Sequence, residues 1–124
     1  MALRVLITDD SASMRKILKR SLTMSGLQFS EIAEAADGAE ALHLFEERDF
    51  DLALVDLHMP GMNGLALIEA LRSRPPLRDM PILVVTSDGS EEHMAAVKAF
   101  GAAILHKPFA PESLLKAVID VLEG

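Results

Sequence analysis

The apolar run at residues 52–55 (LALV) constrains the fold most, because neither face of a strand built from it would carry a polar side chain. Such a strand is typical of a parallel sheet that helices cover on both sides. The run ends at Asp56, and a loop with the sequence LHMPG follows directly. Open α/β sheets place their reactive groups at the carboxyl ends of such strands. Asp56 is therefore either a functional carboxylate or a residue that merely caps the loop.

Further apolar or β-branched runs alternate with helical patterns along the chain. We predict strands at residues 3–8, 30–36, 52–55, 81–86 and 102–105. We predict helices from the hydroxyls at residues 11–13 to about residue 25, and at residues 39–48, 63–73, 91–100 and 111–122. In the first helix, the apolar stripe expected to face the core consists of Met14, Ile17, Leu18, Leu22 and Met24.

This alternation of strands and helices predicts the fold class. Right-handed crossovers between successive parallel strands would place helices on both faces of the sheet. The expected fold is α/β, a doubly wound five-stranded parallel sheet of the (βα)5 type. No repeat, linker or low-complexity segment interrupts the pattern, so we predict a single domain over residues 1–124.

Charge and cysteine content exclude several classes of protein. The chain has 12 basic and 19 acidic residues, a formal net charge of −7, which argues against a nucleic-acid binder. It has no cysteine, so neither a disulfide framework nor a thiolate metal site is predicted. The sequence has no signal peptide or membrane-spanning pattern, and we expect no membrane association and a cytoplasmic location.

Candidate functional residues lie at the carboxyl ends of four of the five predicted strands. Asp9 and Asp10 come after the first strand, Asp56 after the third, Thr86 ends the fourth and Lys107 follows the fifth. Each is unremarkable alone, since acids cap helices, threonine favours strands and lysine is usually solvated. The carboxyl ends of parallel strands meet at one edge of the sheet, however, so we expect these groups to converge there.

The chemistry of this group follows from its charges. Neighbouring carboxylates repel one another unless a cation enters, and an oxygen-only ligand set suits the hard ion Mg²⁺. Asp56 is then a candidate nucleophile towards phosphorus, as carboxylates are in aspartyl-phosphate chemistry. Lys107 would contact one phosphoryl oxygen and the Thr86 hydroxyl would donate to another, which is the usual electrostatic set for phosphoryl transfer.

Four segments, TDDSASMRKIL, VDLHMPGMNG, ILVVTS and HKPF, resemble the receiver domain of two-component response regulators, most closely the stand-alone, CheY-like members. The resemblance covers residues 3–122. It implies the flavodoxin-like strand order 2-1-3-4-5 and a phosphoryl group carried on Asp56. It implies that Mg²⁺ is held by the side chains of Asp9, Asp10 and Asp56. The backbone carbonyl of His58 would be a further ligand. It further implies Thr86 as a switch hydroxyl, Lys107 as the phosphate-contacting lysine and a cis peptide before Pro108.

Two positions stand out against the pattern of this family. Ile104 occupies the place that usually holds a switch tyrosine or phenylalanine, and the segment 101–107 is one residue shorter than is typical. We expect phosphorylation to be unaffected and the output surface to work differently.

His58 and Asp88 lie two residues after Asp56 and Thr86, and our hypothesis is that they tune the lifetime of the phosphorylated state. The other histidines, His43, His93 and His106, are expected to be helix-surface or loop residues.

The resemblance implies a signalling switch rather than a metabolic enzyme. Its expected partners are a histidine kinase or phosphotransfer protein as donor and a separate downstream effector, while dimerisation stays open. A hydrolase of the aspartyl-phosphate type is an alternative, weakened because His58 stands where such enzymes place a second aspartate. A flavodoxin-like binder is disfavoured because Asp9 and Asp10 would repel phosphate. A non-phosphorylated pseudo-receiver is disfavoured because all five site residues are present.

Overall fold

The chain forms a five-stranded parallel sheet covered by helices on both faces in the computed structural model, which describes residues 2–124. The strands are β1 (Leu3–Thr8), β2 (Phe29–Ala35), β3 (Leu52–Val55), β4 (Ile82–Thr86) and β5 (Ala103–His106). The helices are α1 (Ala12–Thr23), α2 (Gly38–Glu47), α3 (Gly64–Arg72), α4 (Glu91–Ala99) and α5 (Pro111–Glu123). The strand order is β2-β1-β3-β4-β5, so the predicted fold class and order are confirmed.

The residues of β3 alternate between two hydrophobic cores, one on each face of the sheet. Leu52 and Leu54 pack with residues of α1 and α5, whereas Ala53 and Val55 pack with residues of α2, α3 and α4. All four side chains are buried. The apolar run therefore marks a strand enclosed on both faces, as we predict from its composition.

Side-chain caps explain where most of the helices begin. Ser11, Asp37, Asn63 and Ser90 each accept a hydrogen bond from the backbone N–H three residues on. This bond satisfies an amide that the helix itself leaves without a partner. The predicted cap at residues 11–13 is thus made by Ser11, and the helix that follows ends at Thr23 rather than near residue 25.

The prediction for the apolar stripe of α1 is wrong at two positions. Leu18 and Leu22 are buried, but Ile17 is 49% exposed and Met24, at the C-cap, is 75% exposed. The stripe that faces the core is narrower than the set of apolar residues.

A short 3-10 helix at Pro75–Leu77, which we did not predict, follows α3. Among the described residues, no helix is both long and apolar enough to cross a membrane.

Candidate functional site

The three predicted aspartates come together where β1 and β3 end side by side. Thr8 of β1 is in register with Val55 of β3, so the next residues of each strand are neighbours. The backbone N–H of Asp56 donates to the carbonyl of Thr8 at 3.0 Å. Carboxylate oxygens of Asp9, Asp10 and Asp56 lie within 4.8 Å of one another. Asp9 and Asp56 are buried and Asp10 is exposed, so the acidic cluster (Asp9, Asp10 and Asp56) opens to solvent on one side.

Lys107 reaches this acidic cluster from the loop after β5. Its Nζ donates to Asp9 Oδ2 at 2.9 Å and to Asp56 Oδ2 at 3.2 Å. Burial by itself lowers the pKa of Lys107, but the carboxylates of Asp9 and Asp56 outweigh it and raise that pKa above its ordinary value. The lysine is therefore a cation held between the two buried carboxylates. The peptide between Lys107 and Pro108 is cis, as predicted.

Backbone amides fix the orientation of the two buried carboxylates. Asp56 Oδ1 accepts the N–H of Leu57 at 2.8 Å, and Asp9 Oδ1 accepts the N–H of Ser11 at 2.9 Å. In each residue the other carboxylate oxygen is the one that faces Lys107. Hydrogen bonds to both oxygens hold each side chain in one orientation, which is the kind of preorganisation that a reacting group needs.

Gly64, to which no role is assigned from the sequence, lets α3 begin against the backbone of Asp56. Its N–H donates to the carbonyl of Leu57 at 2.9 Å. A Cβ at this position would lie 2.2 Å from the carbonyl oxygen of Asp56 and 2.8 Å from Leu57 Cα. Only glycine fits there without moving the chain beside Asp56. The sequence carries one signal for this: a glycine stands directly after Asn63, where the helix that follows the Asp56 loop is predicted to begin.

Thr86 lies at the carboxyl end of β4, beside β3, and is fully buried. Its Oγ1 accepts the backbone N–H of Asp88 at 3.2 Å. Among the described residues, the Thr86 hydroxyl bonds to the following loop and makes no hydrogen bond to the acidic cluster. The structure therefore places Thr86 at the predicted edge of the sheet with its hydroxyl tied to the loop that precedes α4.

The side chain of His58 lies away from the acidic cluster, and its Nε2 is 2.7 Å from Asp88 Oδ2. Nδ1 of His93 contacts the same carboxylate oxygen. His93 is a helix-surface residue, as predicted, since it lies in the first turn of α4 with its side chain 41% exposed. The contact of its ring with Asp88 was not predicted. The signal that could have found it is the spacing of Asp88, Ser90 and His93, since Ser90 caps α4 and turns its first residues back over the loop. The role of the His58 carbonyl as a metal ligand stays a prediction.

Ile104, at the position where the resemblance implies a switch aromatic, is partly buried in β5. It pairs with Val84 of β4 and packs against the core on the α4 side of the sheet. A shallow depression between α4 and β5 is lined by Met94, Lys98, Ala102, Ala103, Ile104 and His106. The side chain at this position thus contributes to the floor of the groove beside α4.

Comparisons with known proteins agree with one another. The family model for the response regulator receiver domain matches residues 5–119. A chemotaxis protein CheY homolog of Campylobacter jejuni is 38% identical over 122 residues, covering 97% of this chain and 92% of that protein. Chemotaxis protein CheY1 of Helicobacter pylori is 35% identical over 124 residues, covering 98% of each.

Solved structures of the same kind superpose closely. Chemotaxis response regulator CheY4 of Vibrio cholerae has a TM-score of 0.87 and 37% sequence identity, covering 98% of this chain and 99% of that one. A putative response regulator from Chloroflexus aurantiacus has a TM-score of 0.90 and 30% identity, covering 100% of both chains. The similarity in sequence and in structure extends over nearly the whole length in each case.

Proposed function

The chain belongs to the family of response regulator receiver domains, and on that premise we propose that it is a CheY-like switch whose phosphoryl acceptor is Asp56. CheY-type receiver domains act in two-component signalling as switches rather than as metabolic enzymes. The donor would be the phosphohistidine of a histidine kinase or phosphotransfer protein. A separate effector protein would read the phosphorylated state.

One observation carries the proposal: Lys107 Nζ lies between the buried carboxylates of Asp9 and Asp56, at 2.9 and 3.2 Å. Side chains from three separate strand ends thereby meet around Asp56, which is held in one orientation. Charge complementarity of this kind stabilises a developing phosphoryl-transfer transition state. A hydrolase of the aspartyl-phosphate type is not favoured, because the side chain two residues after Asp56 is His58, which is bound to Asp88.

Transfer onto Asp56 would proceed as a displacement at phosphorus. A carboxylate oxygen of Asp56 forms the new bond to phosphorus while the phosphorus–nitrogen bond of the donor breaks, and its electron pair leaves with the imidazole nitrogen. The ammonium of Lys107 offsets negative charge on a phosphoryl oxygen. The Thr86 hydroxyl can donate to a second oxygen while still accepting the N–H of Asp88.

The acidic cluster fits a hard divalent ion. It offers the carboxylate oxygens of Asp9, Asp10 and Asp56 within 4.8 Å of one another, and these oxygens are the ligand type that Mg²⁺ prefers. The cluster has three carboxylates and Lys107 supplies one ammonium group, which contacts two of them, so negative charge remains to be offset. The proposed ligands are these side chains and the backbone carbonyl of His58. Bound Mg²⁺ would supply positive charge beside the acceptor and the phosphoryl oxygens.

Mg²⁺ is therefore expected to raise the melting temperature of the protein, and this response tests the proposed function at its ion site. An ion that binds the native state alone at 100 times its Kd stabilises it by about 2.7 kcal/mol. The Asp56→Asn variant should respond less, since it loses one ligand charge. Asp120→Asn, on the exposed side of α5, should respond like the parent. Thermal unfolding at matched ionic strength measures this, and an unresponsive parent protein would count against the site.

His58 and Asp88 are proposed to set how long the acyl phosphate survives. Because their side chains are hydrogen-bonded, His58→Ala and Asp88→Ala should change the dephosphorylation rate in the same direction. The double variant should resemble the single ones, since both singles remove the same contact. Phosphate release after rapid removal of the donor measures the rates. His43→Ala, which alters an exposed helix residue, is the control. If the dephosphorylation rate were unchanged in both single variants, the hypothesis would be rejected.

The remaining parts of the proposal concern the chain's setting. We propose that residues 1–124 act as one receiver domain and that the protein works in the cytoplasm. The names of the relatives favour chemotaxis signalling as the pathway. Ile104 has no hydroxyl and no ring, so the coupling between Thr86 and the face formed by α4, β5 and α5 would run through packing at this aliphatic residue.

A further inference from the structure

Two imidazole rings and one carboxylate converge outside the acidic cluster. His58 Nε2 lies 2.7 Å from Asp88 Oδ2, and His93 Nδ1 contacts the same oxygen. The three residues come from the loop after β3, the loop after β4 and the first turn of α4. Their ligand atoms all lie within 4.8 Å of one another. We refer to His58, Asp88 and His93 as the histidine cluster.

The geometry of the histidine cluster is close to that of a metal site. Both rings direct a nitrogen at one carboxylate oxygen rather than outward, with ring centroids 6.0 Å apart. Around a tetrahedral Zn²⁺, bonds of about 2.0–2.2 Å place neighbouring ligand atoms roughly 3.4 Å apart. The two separations between ring nitrogen and Asp88 Oδ2 are shorter than this, so an outward movement of the two rings would admit the ion.

The carboxylate of the histidine cluster is already fixed in place. Asp88 Oδ1 accepts the N–H of Ser90 at 2.8 Å, and the side chain is only 7% exposed. Hydrogen bonds of this kind orient metal-binding carboxylates. The backbone N–H of Ser90, together with the rings of His93 and His58, holds the pKa of Asp88 well below its ordinary value. The imidazoles are more open, with His58 62% and His93 41% exposed, so an ion can enter from solvent.

The ligand types distinguish this cluster from the acidic one. Imidazole nitrogen suits late first-row divalent ions, whereas Mg²⁺ prefers oxygen alone. We propose that His58, Asp88 and His93 form a second metal site that binds a late first-row divalent ion, with Zn²⁺ as its probe and water in the open coordination position. This proposal does not depend on phosphorylation of Asp56.

Metal binding there would connect two parts of the domain. It would tie the loop that follows Asp56 to the start of α4 through side chains from both. Asp88 also donates its backbone N–H to Thr86 Oγ1, so the second site and the Thr86 hydroxyl are joined through one loop. Occupancy of the histidine cluster would therefore restrain the loop between Thr86 and α4.

Isothermal titration of the full chain with Zn²⁺ in excess Mg²⁺ tests the proposal. We expect one Zn²⁺ per chain, with affinity about 100-fold lower in His93→Ala and in His58→Ala, since each removes a direct ligand. His93→Gln serves as a second variant that keeps a polar side chain in the first turn of α4. His43→Ala, which lacks the exposed imidazole beside Glu47, and Asp10→Asn should bind as the parent does.

Visible absorption of Co²⁺ in place of Zn²⁺ gives a second readout, because a nitrogen and carboxylate site produces bands that change when an imidazole ligand is removed. Each variant is first compared with the parent by its metal-free melting curve. No Zn²⁺ binding by the parent would overturn the proposal. Binding that survives His93→Ala and His93→Gln but is lost in Asp10→Asn would also overturn it, because the ion would then occupy the acidic cluster. Loss in His43→Ala alone would overturn it in favour of the His43–Glu47 pair.

Discussion

Replacing Asp56 with asparagine is expected to abolish phosphoryl uptake from acetyl phosphate in the presence of Mg²⁺. The amide has the shape of the carboxylate but lacks a nucleophilic oxygen able to form an acyl phosphate. Hydrogen bonds from Leu57 and Lys107 now hold the two oxygens of Asp56. The side chain is thereby held in one orientation, as a reacting group needs to be. Intact-protein mass spectrometry over a time course measures the uptake.

Two comparisons make this result interpretable. Asp120→Asn changes an exposed carboxylate on α5 that pairs with Lys116, and it should take up phosphoryl at the parent rate. The metal-free melting temperature of Asp56→Asn should be no lower than that of the parent, since one of three neighbouring negative charges is gone. Uptake by Asp56→Asn at the parent rate would mean that another residue is the acceptor.

Replacing Gly64 with alanine is expected to destabilise the protein by about 3 kcal/mol, the upper end of the usual cost of overpacking. The added Cβ would lie 2.2 Å from the carbonyl oxygen of Asp56 and 2.8 Å from Leu57 Cα. These are backbone atoms, which cannot turn aside as the end of a flexible side chain can. The start of α3 must shift, and it would move the acceptor loop with it, so phosphorylation should slow as well.

Gly89→Ala is the matched control for this substitution. Gly89 lies in the loop before α4, and a Cβ there would meet no atom within 4 Å. Its φ is not positive, so alanine is compatible with its backbone. We expect its free energy of unfolding to stay within about 0.5 kcal/mol of the parent value. Urea unfolding monitored by circular dichroism compares the two variants, and equal midpoints would contradict the close approach at Gly64.

Residues 52–55 show why the strands could be predicted from the sequence. A short run of apolar residues followed by a polar one is the pattern expected of a central strand that is buried on both faces. β3 begins and ends where this pattern predicts. β2, at the edge of the sheet, begins one residue earlier than predicted because its side chains are only partly buried and its pattern is weaker. Helix starts follow from side chains that cap, as at Ser11, which is a local property of the sequence.

Features that depend on contacts between distant elements could not be predicted in the same way. The apolar residues Ile17 and Met24 fit a helical stripe, but which part of a stripe is covered depends on where α5 packs. The convergence at Asp56 could be predicted, because parallel strands end at one edge whatever their order. The contact of His93 with Asp88 depends on how α4 turns back over its loop, and the need for glycine at position 64 depends on how closely α3 approaches Asp56.

Locating the phosphoryl group on the unaltered protein tests the central claim most directly. The protein is treated with acetyl phosphate and Mg²⁺, its mass is measured, and the modified residue is identified by fragmentation of its peptides. We predict one added phosphoryl group per chain, on Asp56. No added mass, or a phosphoryl group on any other residue, would contradict the conclusion that the residues around Asp56 form a phosphoryl-acceptor site.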